Sequence, residues 1–165
     1  MLAIVISANL ISCAQTPAKD ANNGYKAEQE GWLVNLDEAY ALSKKTNKPI
    51  MANFTGSDWC GWCKKLDKET YTDAAVQKKL REEWVNIKVN AEDESKQGTF
   101  DGKVMTYPQL TRSFGVRGFP TLLFIDKEGK PAGAIPGFLQ AKEFARALDY
   151  YKQELYKKNI ELEKY

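Results

Sequence analysis

Short apolar runs alternate with polar stretches along most of the chain, and their lengths and periods predict its secondary structure. Several runs are continuously apolar, or alternate between apolar and polar positions, which is typical of strands. The predicted strands span residues 32–34, 50–55, 84–90, 121–126 and 131–137. The last of these is the weakest pattern and favours an edge strand.

The segments between the strands carry the spacing and end signals of helices. The predicted helices span residues 37–46, 60–69, 74–83, 106–114 and 140–158. The first has acids early and lysines late, as the helix dipole favours. Asp73 and Thr106 are placed to cap two of the others, and apolar residues recur at helical spacing along the last one.

Strands that alternate with helices predict an α/β fold, with a mixed central β-sheet and helices on both faces. The polar, glycine-containing segment 91–103 departs from this pattern. It predicts an excursion with a small hairpin around Asp101 and Gly102. No internal repeat is visible, and 165 residues suit one domain of ordinary size.

Composition and charge exclude several classes of function. The formal net charge is +2, and nothing in it calls for a nucleic-acid partner. The sequence contains no histidine, so a Cys–His or Ser–His nucleophile and an imidazole zinc site are both excluded. With only 3 cysteines, the chain also cannot build a four-thiolate zinc site. We expect no metal and no bound cofactor.

Residues 1–13 resemble the signal peptide of a bacterial lipoprotein. The apolar run from Leu2 to Ser12 is shorter than the about 20 residues that cross a bilayer, and it suits the apolar region of a signal peptide. The run ends in Ser12-Cys13, and its resemblance to a lipobox implies that the Cys13 thiol carries a diacylglycerol group. No Lys or Arg precedes it, so Met1 need not be the native start. The alternative is a short buried strand or helix with an incidental cysteine.

Residues 14–30 are polar and almost free of large apolar side chains, which is typical of a flexible tether. The predicted organisation is therefore a signal with its lipobox, a tether and one folded domain over residues 31–160. This organisation predicts a protein of the periplasm or cell envelope, attached to the membrane by lipid at Cys13. It also leaves two cysteines, Cys60 and Cys63, for the domain.

Cys60 and Cys63 follow a predicted strand and open a predicted helix. Cysteines at these positions of a first helical turn can close a small disulfide ring. Helix starts favour anions, and a free thiol, whose pKa is about 8.5, loses its proton more easily there. Because the thiolate is the nucleophile of disulfide exchange, we expect Cys60 to attack and Cys63 to resolve. Lys64 adds positive charge nearby.

Two alternatives to a redox role are an inert staple and half of a metal site. The metal site lacks other ligands. A staple across two residues closes so small a loop that it stabilises little. The pattern therefore favours a redox-active pair.

Trp59-Cys60-Gly61-Trp62-Cys63-Lys64 is similar to the active-site signature of the thioredoxin-like superfamily, with Trp62 in the variable position. A second signature of that family, Val116-Arg117-Gly118-Phe119-Pro120-Thr121, follows further along the chain. The resemblance covers residues 31–158 and implies a thioredoxin fold. Within the family, the chain resembles most the exported bacterial members, including those linked to sulfur oxidation and cytochrome maturation.

The second signature carries expectations of its own. In the family its proline is cis and faces the cysteines, so the resemblance implies a cis bond between Phe119 and Pro120. It also implies that the Phe119 backbone makes a short strand-like contact with a bound substrate chain. Gly137 matches a family glycine close to the active site.

One position departs from the family pattern. Thioredoxins carry a buried acid six residues before the first cysteine, and here Phe54 stands in that place. The lysine that accompanies the acid is matched by Lys88 in the next strand. Proton handling at Cys63 must then use water, Lys88 or another group.

The tryptophans divide between core and site. Trp62, between the cysteines, is expected to be exposed and to contact substrate, whereas Trp59 should be half core and half site. Trp32 and Trp84 are expected in the core. Together with Phe119, Trp59 and Trp62 should make an apolar patch around Cys60.

The resemblance implies a monomeric thiol–disulfide oxidoreductase that acts on protein disulfides outside the cytoplasm. We expect a reductase or exchange enzyme, with a membrane thiol-reductant system as electron donor. A disulfide oxidase or isomerase is the alternative within the same chemistry, although strong oxidants frequently have histidine where Trp62 stands. A binding module that uses the groove near Phe119 and Pro120 without turnover is the alternative of another class.

Overall fold

The computed structural model describes residues 31–56 and 58–165. The predicted signal peptide, the lipidated Cys13 and the tether up to residue 30 lie outside the described residues. In the described part, the strands are β1 Trp32–Leu33, β2 Ile50–Thr55, β3 Val85–Asn90, β4 Gln97–Phe100, β5 Lys103–Thr106, β6 Thr121–Ile125 and β7 Pro131–Pro136. The α-helices are α1 Leu36–Thr46, α2 Gly61–Lys65, α3 Ala74–Glu83, α4 Tyr107–Ser113 and α5 Ala141–Lys152.

The central sheet has five strands in the order β1-β3-β2-β6-β7. Strands β1, β3 and β2 are parallel, and β6 and β7 are antiparallel to their neighbours. Every residue of β2 and of β6 is buried, as expected for central strands that are covered on both faces. This arrangement confirms the predicted mixed sheet.

Alternate side chains of the sheet enter two separate cores. Ile50, Ala52 and Phe54 of β2 belong to the cluster that α1 and α4 cover. Met51, between them, belongs to the cluster formed with α3 and α5. Helices therefore lie on both faces, and α2 begins directly beyond the carboxyl end of β2.

Side chains cap the starts of α1 and α3; the cap at Asp73 was predicted from the sequence, and the cap at Asn35 was not. The side chain of Asn35 accepts hydrogen bonds from Asp37 N at 2.9 Å and Glu38 N at 3.1 Å. Asp73 caps α3 through Ala75 N at 2.9 Å. These side chains satisfy backbone donors that a helix start leaves without partners.

Two helix predictions differ from the structure. Helix α2 does not continue regularly to Glu69, because Leu66–Thr70 is π-helical and Tyr71 N donates to Leu66 O at 3.1 Å. The prediction of one terminal helix over 140–158 is wrong. Helix α5 ends at Lys152, and Glu154 adopts a left-handed conformation with φ of 54°.

The terminal helix ends early because the residues after α5 pack back against the domain. The turn at Glu154 redirects the chain into a short 3-10 helix, Leu155–Lys158, whose Leu155 is buried. Lys157 then reaches the carboxylate of Asp126, with Nζ 3.4 Å from Oδ2. A straight helix would carry these side chains away from the turn after β6.

The predicted excursion contains the hairpin β4–β5, which turns at Asp101 and Gly102 with φ of 51° and 71°. Gly98 of β4 packs tightly on the first core. A Cβ atom at Gly98 would lie 2.8 Å from Leu36 Cβ and 3.2 Å from Leu110 Cδ1. The hairpin can therefore lie this close to α1 and α4 only with glycine at this position.

We expect Gly98→Ala to destabilise the domain by about 1–3 kcal/mol, because the added methyl meets side-chain atoms close to the backbone of α1. Urea denaturation measures the loss. Gly118→Ala is the matched control, since a Cβ there meets nothing within 4 Å. Equal stability of the two variants would contradict the tight contact.

Candidate active site

The two cysteines lie at the junction between β2 and α2. The backbone turns immediately after β2, where Cys60 N donates to Gly56 O at 3.2 Å. Cys60 occupies the N-cap position of α2, and its Sγ accepts a hydrogen bond from Cys63 N at 3.2 Å. The predicted placement, after a strand and at a helix start, is therefore found.

Cys60 and Cys63 form a disulfide, with their Cα atoms 5.3 Å apart. Both residues are buried, with 4 % of Cys60 and 2 % of Cys63 exposed. Cys63 is thus less exposed, as predicted, but by a small margin. What distinguishes the two sulfurs more clearly is the backbone donor that Cys63 N presents to Cys60.

The loop before β6 lies beside this junction. The Phe119–Pro120 peptide bond is cis, the isomer that the resemblance implied. Gly137 N donates to Pro120 O at 2.8 Å, so the residue after β7 and the proline are in direct contact. Phe119 packs edge-on against Trp59, with ring centroids 6.1 Å apart. The structure thus brings both signature segments together.

The aromatic patch is more exposed than predicted at one residue. Trp62 is 60 % exposed, as expected for a side chain available to substrate. Trp59 is 63 % exposed, so the expectation of a half-core residue is wrong. Trp62 rests against Phe138, with ring centroids 5.9 Å apart, and Lys65 Nζ lies 5.1 Å from the centroid of the same ring. Sequence reasoning missed Phe138, although it directly follows Gly137.

Glu92 and Gly56 were also missed, and both contact Trp59. Trp59 Nε1 donates to Glu92 Oε2 at 2.8 Å. A Cβ at Gly56 would lie 2.6 Å from Trp59 Cζ2 and 2.8 Å from Phe119 Cδ2. Because Gly56 has no side chain, both rings fit against it. The signal for this in the sequence was the glycine four residues before Cys60.

The family pattern suggested that Lys88 lies beside Phe54, but the structure places the two side chains on opposite faces of the sheet. The register pairs Phe54 with Val89, and Phe54 faces the α1–α4 core, where it meets Phe114 edge-on at 5.7 Å between centroids. Lys88 pairs with Asn53 in the register and so faces the other side of the sheet. Its Nζ lies 2.8 Å from Asp67 Oδ1.

Asp67 is thus the carboxylate that accompanies Lys88. It stands one helical turn beyond Cys63, at an i, i+4 spacing that could have drawn attention to it. The Lys88 side chain is 2 % exposed and that of Asp67 31 %. An ion pair with one buried and one partly exposed partner therefore joins the helix that follows Cys63 to β3. Gly61 and Lys64 are exposed at the start of α2.

Asp126, Glu128 and Glu154 are close enough together to be considered as metal ligands. Lys157 Nζ already lies among them, 3.4 Å from Asp126, 3.6 Å from Glu128 and 2.8 Å from Glu154. The group lies at the opposite end of the sheet from Cys60, because β6 runs antiparallel to β2. It is therefore an ion-pair cluster separate from the disulfide.

Comparison with known proteins agrees with this fold. The structure is similar to that of a thioredoxin from Thermus thermophilus, with a TM-score of 0.56 and 24 % identity over 73 % of this chain and 85 % of that one. It is also similar to that of a thioredoxin-fold protein from Helicobacter pylori, with a TM-score of 0.59 and 18 % identity over 77 % and 76 % of the two chains. These likenesses concern the fold.

In sequence, the chain is 36 % identical to the thiol:disulfide interchange protein DsbD of Actinobacillus pleuropneumoniae over 119 residues. This match covers 71 % of the chain but spans only 18 % of that relative's length. The fold and the Cys60–Cys63 disulfide define a thioredoxin-fold protein with a bonded Cys-x-x-Cys pair. The chain belongs to the thioredoxin-like domain family, whose model matches residues 36–152.

Within residues 31–56 and 58–165, none of the helices has both the length and the apolar character that crossing a membrane requires.

Proposed function

We propose that this protein reduces or exchanges disulfides of other proteins, with Cys60 as the attacking thiol and Cys63 as the resolving one. The observation that carries the proposal is the backbone N–H of Cys63, which points at Cys60 Sγ from 3.2 Å. In the reduced pair this donor favours a thiolate on Cys60, because a hydrogen bond to the charged form stabilises it. Cys63 Sγ is placed to follow, since the two residues already close a ring.

The exchange takes two balanced steps. The Cys60 thiolate attacks one sulfur of the substrate disulfide, forms a mixed disulfide and releases the other substrate sulfur as a thiolate. The Cys63 thiolate then attacks Cys60 Sγ, closes the Cys60–Cys63 bond and releases the second substrate thiolate. The substrate gains two electrons and the protein loses them, so each turnover needs a thiol donor to reduce the pair again.

The direction favoured is reduction or general exchange. Trp62 stands between the cysteines, where it carries no positive charge to stabilise the Cys60 thiolate further. Strong oxidants owe their potential to a stabilised reduced form. A disulfide oxidase or isomerase is the alternative in the same chemistry. A binding module without turnover is disfavoured, because both cysteines are present and bonded to each other.

The proposed setting is outside the cytoplasm. The relative from Actinobacillus is named a thiol:disulfide interchange protein, which supports protein disulfides as substrates. Attachment by lipid at Cys13, with residues 14–30 as a tether, would hold the domain near a membrane thiol-reductant donor. We propose that the domain acts there as a monomer.

The test of the activity is the reduction of insulin by dithiothreitol, followed by turbidity. We expect the wild-type protein to accelerate the reaction several-fold, because its thiolate reacts faster than that of the small thiol. The same protein with its reduced cysteines alkylated is the control. If wild-type and alkylated protein give the same time course, the enzyme function is wrong.

The reduction potential of the Cys60–Cys63 pair tests the direction. The potential of a reductase should be about −270 mV, as in thioredoxin, and that of a strong oxidant about −120 mV. We expect a value closer to the first. Equilibration with glutathione buffers of known ratio gives the potential, and a value near the second would assign the pair to oxidation.

A further inference from the structure

The disulfide and the start of the first strand lie at opposite ends of the central sheet. Strands β1, β3 and β2 are parallel, and Trp32 of β1 pairs with Asn86, near the start of β3. Cys60 follows the other end of β2, whose 6 residues span about 20 Å. The predicted tether, residues 14–30, therefore leads into the domain at the end away from the disulfide.

Three connections meet at that end of the sheet, and they carry a cluster of cations. The connections are the end of α1 with the turn before β2, the end of α3, and the turn between β6 and β7. The cations, which we call the tether-end cluster, are Lys44, Lys45, Lys48, Arg81, Lys127 and Lys130. The first two connections touch, because Lys48 Nζ donates to Arg81 O at 3.3 Å. The third lies beside them, since Ile125 of β6 pairs with Ile50 of β2.

The acids at this end offset the cluster only in part. Glu82 and Glu128 are exposed among the cations, and Glu128 also lies 3.6 Å from Lys157 Nζ. Residues 158–165, at the end of the chain, carry two lysines and two glutamates. The remaining acids nearby are in ion pairs, Glu83 with Lys152 and Asp126 with Lys157. Six cations against two exposed acids leave this end of the domain positive.

The disulfide end carries both signs of charge. Asp58 and Glu92 are exposed on the Trp59 side of the pair, and Lys64 and Lys68 are exposed along the segment that contains α2. In the described part of the chain, the excess of positive charge therefore lies at the tether end. An anionic surface attracts that end more strongly than the disulfide end.

We propose that the tether-end cluster binds the surface of a bilayer that contains anionic lipids, and so turns the Cys60–Cys63 disulfide away from the membrane. In this orientation the pair faces the soluble proteins whose disulfides it exchanges. Lysine and arginine side chains are attracted to an anionic surface within about one Debye length, about 8 Å at physiological ionic strength. The disulfide end lies beyond that reach. The contact is reversible, so the domain can leave the surface to be reduced.

The choice of a bilayer as occupant follows from the chain itself. A flexible segment as long as residues 14–30 has a root-mean-square span of about 20–25 Å. A domain attached by lipid at Cys13 would therefore keep its tether end close to the headgroups. This step rests on the proposed anchor, whereas the exchange activity is independent of it.

Sedimentation with vesicles tests the binding. Every protein is the full chain with Cys13→Ser, so that no lipid is attached and the pair supplies the only thiols. We expect stronger binding to vesicles with phosphatidylglycerol than to phosphatidylcholine alone, which corrects for binding through the apolar leader. This gain should fall as salt is raised. Lys44→Gln with Lys45→Gln should lower it at least about tenfold. Lys68→Gln with Lys142→Gln removes the same charge elsewhere and is the matched control.

Alkylation of the reduced pair by iodoacetamide, a neutral reagent, tests the orientation. The rate for vesicle-bound protein should match that for free protein, because the pair should face water. Slower alkylation on vesicles, no gain from phosphatidylglycerol, or an equal loss in both double variants would each overturn the proposal. Binding to a short DNA duplex but not to the vesicles would assign the cluster to nucleic acid and overturn it as well. A protein that binds vesicles but does not accelerate insulin reduction would instead refute the proposed function, so the two failures are distinct.

Discussion

Cys60→Ser should lose the acceleration of insulin reduction almost completely, because it removes the proposed attacking thiol; once the rate with dithiothreitol alone is subtracted, the protein-dependent rate should fall by at least about a hundredfold. A serine hydroxyl at the helix start is not ionised near neutral pH and cannot replace a thiolate in attack on sulfur. The measured rate should therefore fall to that of dithiothreitol alone. Urea denaturation of the reduced proteins serves as the check that the variant remains folded.

Cys63→Ser should behave differently, and this contrast identifies the roles. Attack by Cys60 is intact in this variant, but no second thiolate is present to release the substrate. A mixed disulfide should therefore accumulate with a substrate thiol, and it should be visible on a non-reducing gel and disappear with excess reductant. Cys60→Ser should trap nothing. If instead Cys60→Ser accumulates the complex and Cys63→Ser does not, the proposed order of attack is reversed.

Much of the fold was predictable because the local signals agree with one another. Strand β2 was predicted with its observed bounds, since an apolar run follows Pro49 and ends before Gly56. Helix α3 was predicted in full, because Asp73 is a strong N-cap. The end of α5 was not, because helical spacing of apolar residues persists through Leu155 although the chain turns at Glu154. A periodic pattern does not reveal a left-handed residue that is neither Gly nor Asn.

The site was predictable only where chemistry is carried by consecutive residues. Cys60, Cys63 and the cis bond at Pro120 lie in two short motifs. Glu92 was missed because it reaches Trp59 from beyond the end of β3, and Asp67 was missed because its partner Lys88 lies on β3, far from it in the sequence. Both residue types are common on surfaces, so the only signal in the sequence was the i, i+4 spacing of Asp67 from Cys63.

Asp67→Ala should be among the most destabilising single changes near the site, at about 2–3 kcal/mol. The reason is the asymmetry of the pair: Lys88 is 2 % exposed and Asp67 31 %. Removal of one partner from a buried ion pair leaves the other charge poorly compensated, which costs about 3–5 kcal/mol when both are buried. The expected cost is lower here because Asp67 is partly exposed and because the Lys88 ammonium also lies near the rings of Trp32 and Tyr71.

Lys88→Met should cost less than Asp67→Ala, because a methionine fits the apolar surroundings of Lys88, which include the rings of Trp32 and Tyr71 at 5.5 and 5.9 Å. The carboxylate that remains in this variant is partly exposed and can be hydrated. The double variant Asp67→Ala with Lys88→Met should then be more stable than Asp67→Ala alone, since it no longer buries a charge without its carboxylate.

Urea denaturation of the four proteins, each oxidised, measures the coupling. Lys68→Ala, exposed on the next residue along the same helix, controls for a change of charge and propensity there. If the two single changes cost the same, or if the double variant is the least stable of all, the pair is not the closed contact described. If the predicted order of stabilities is found, the Asp67–Lys88 ion pair holds the helix that follows Cys63 against β3. This pair lies on the sheet face opposite Phe54.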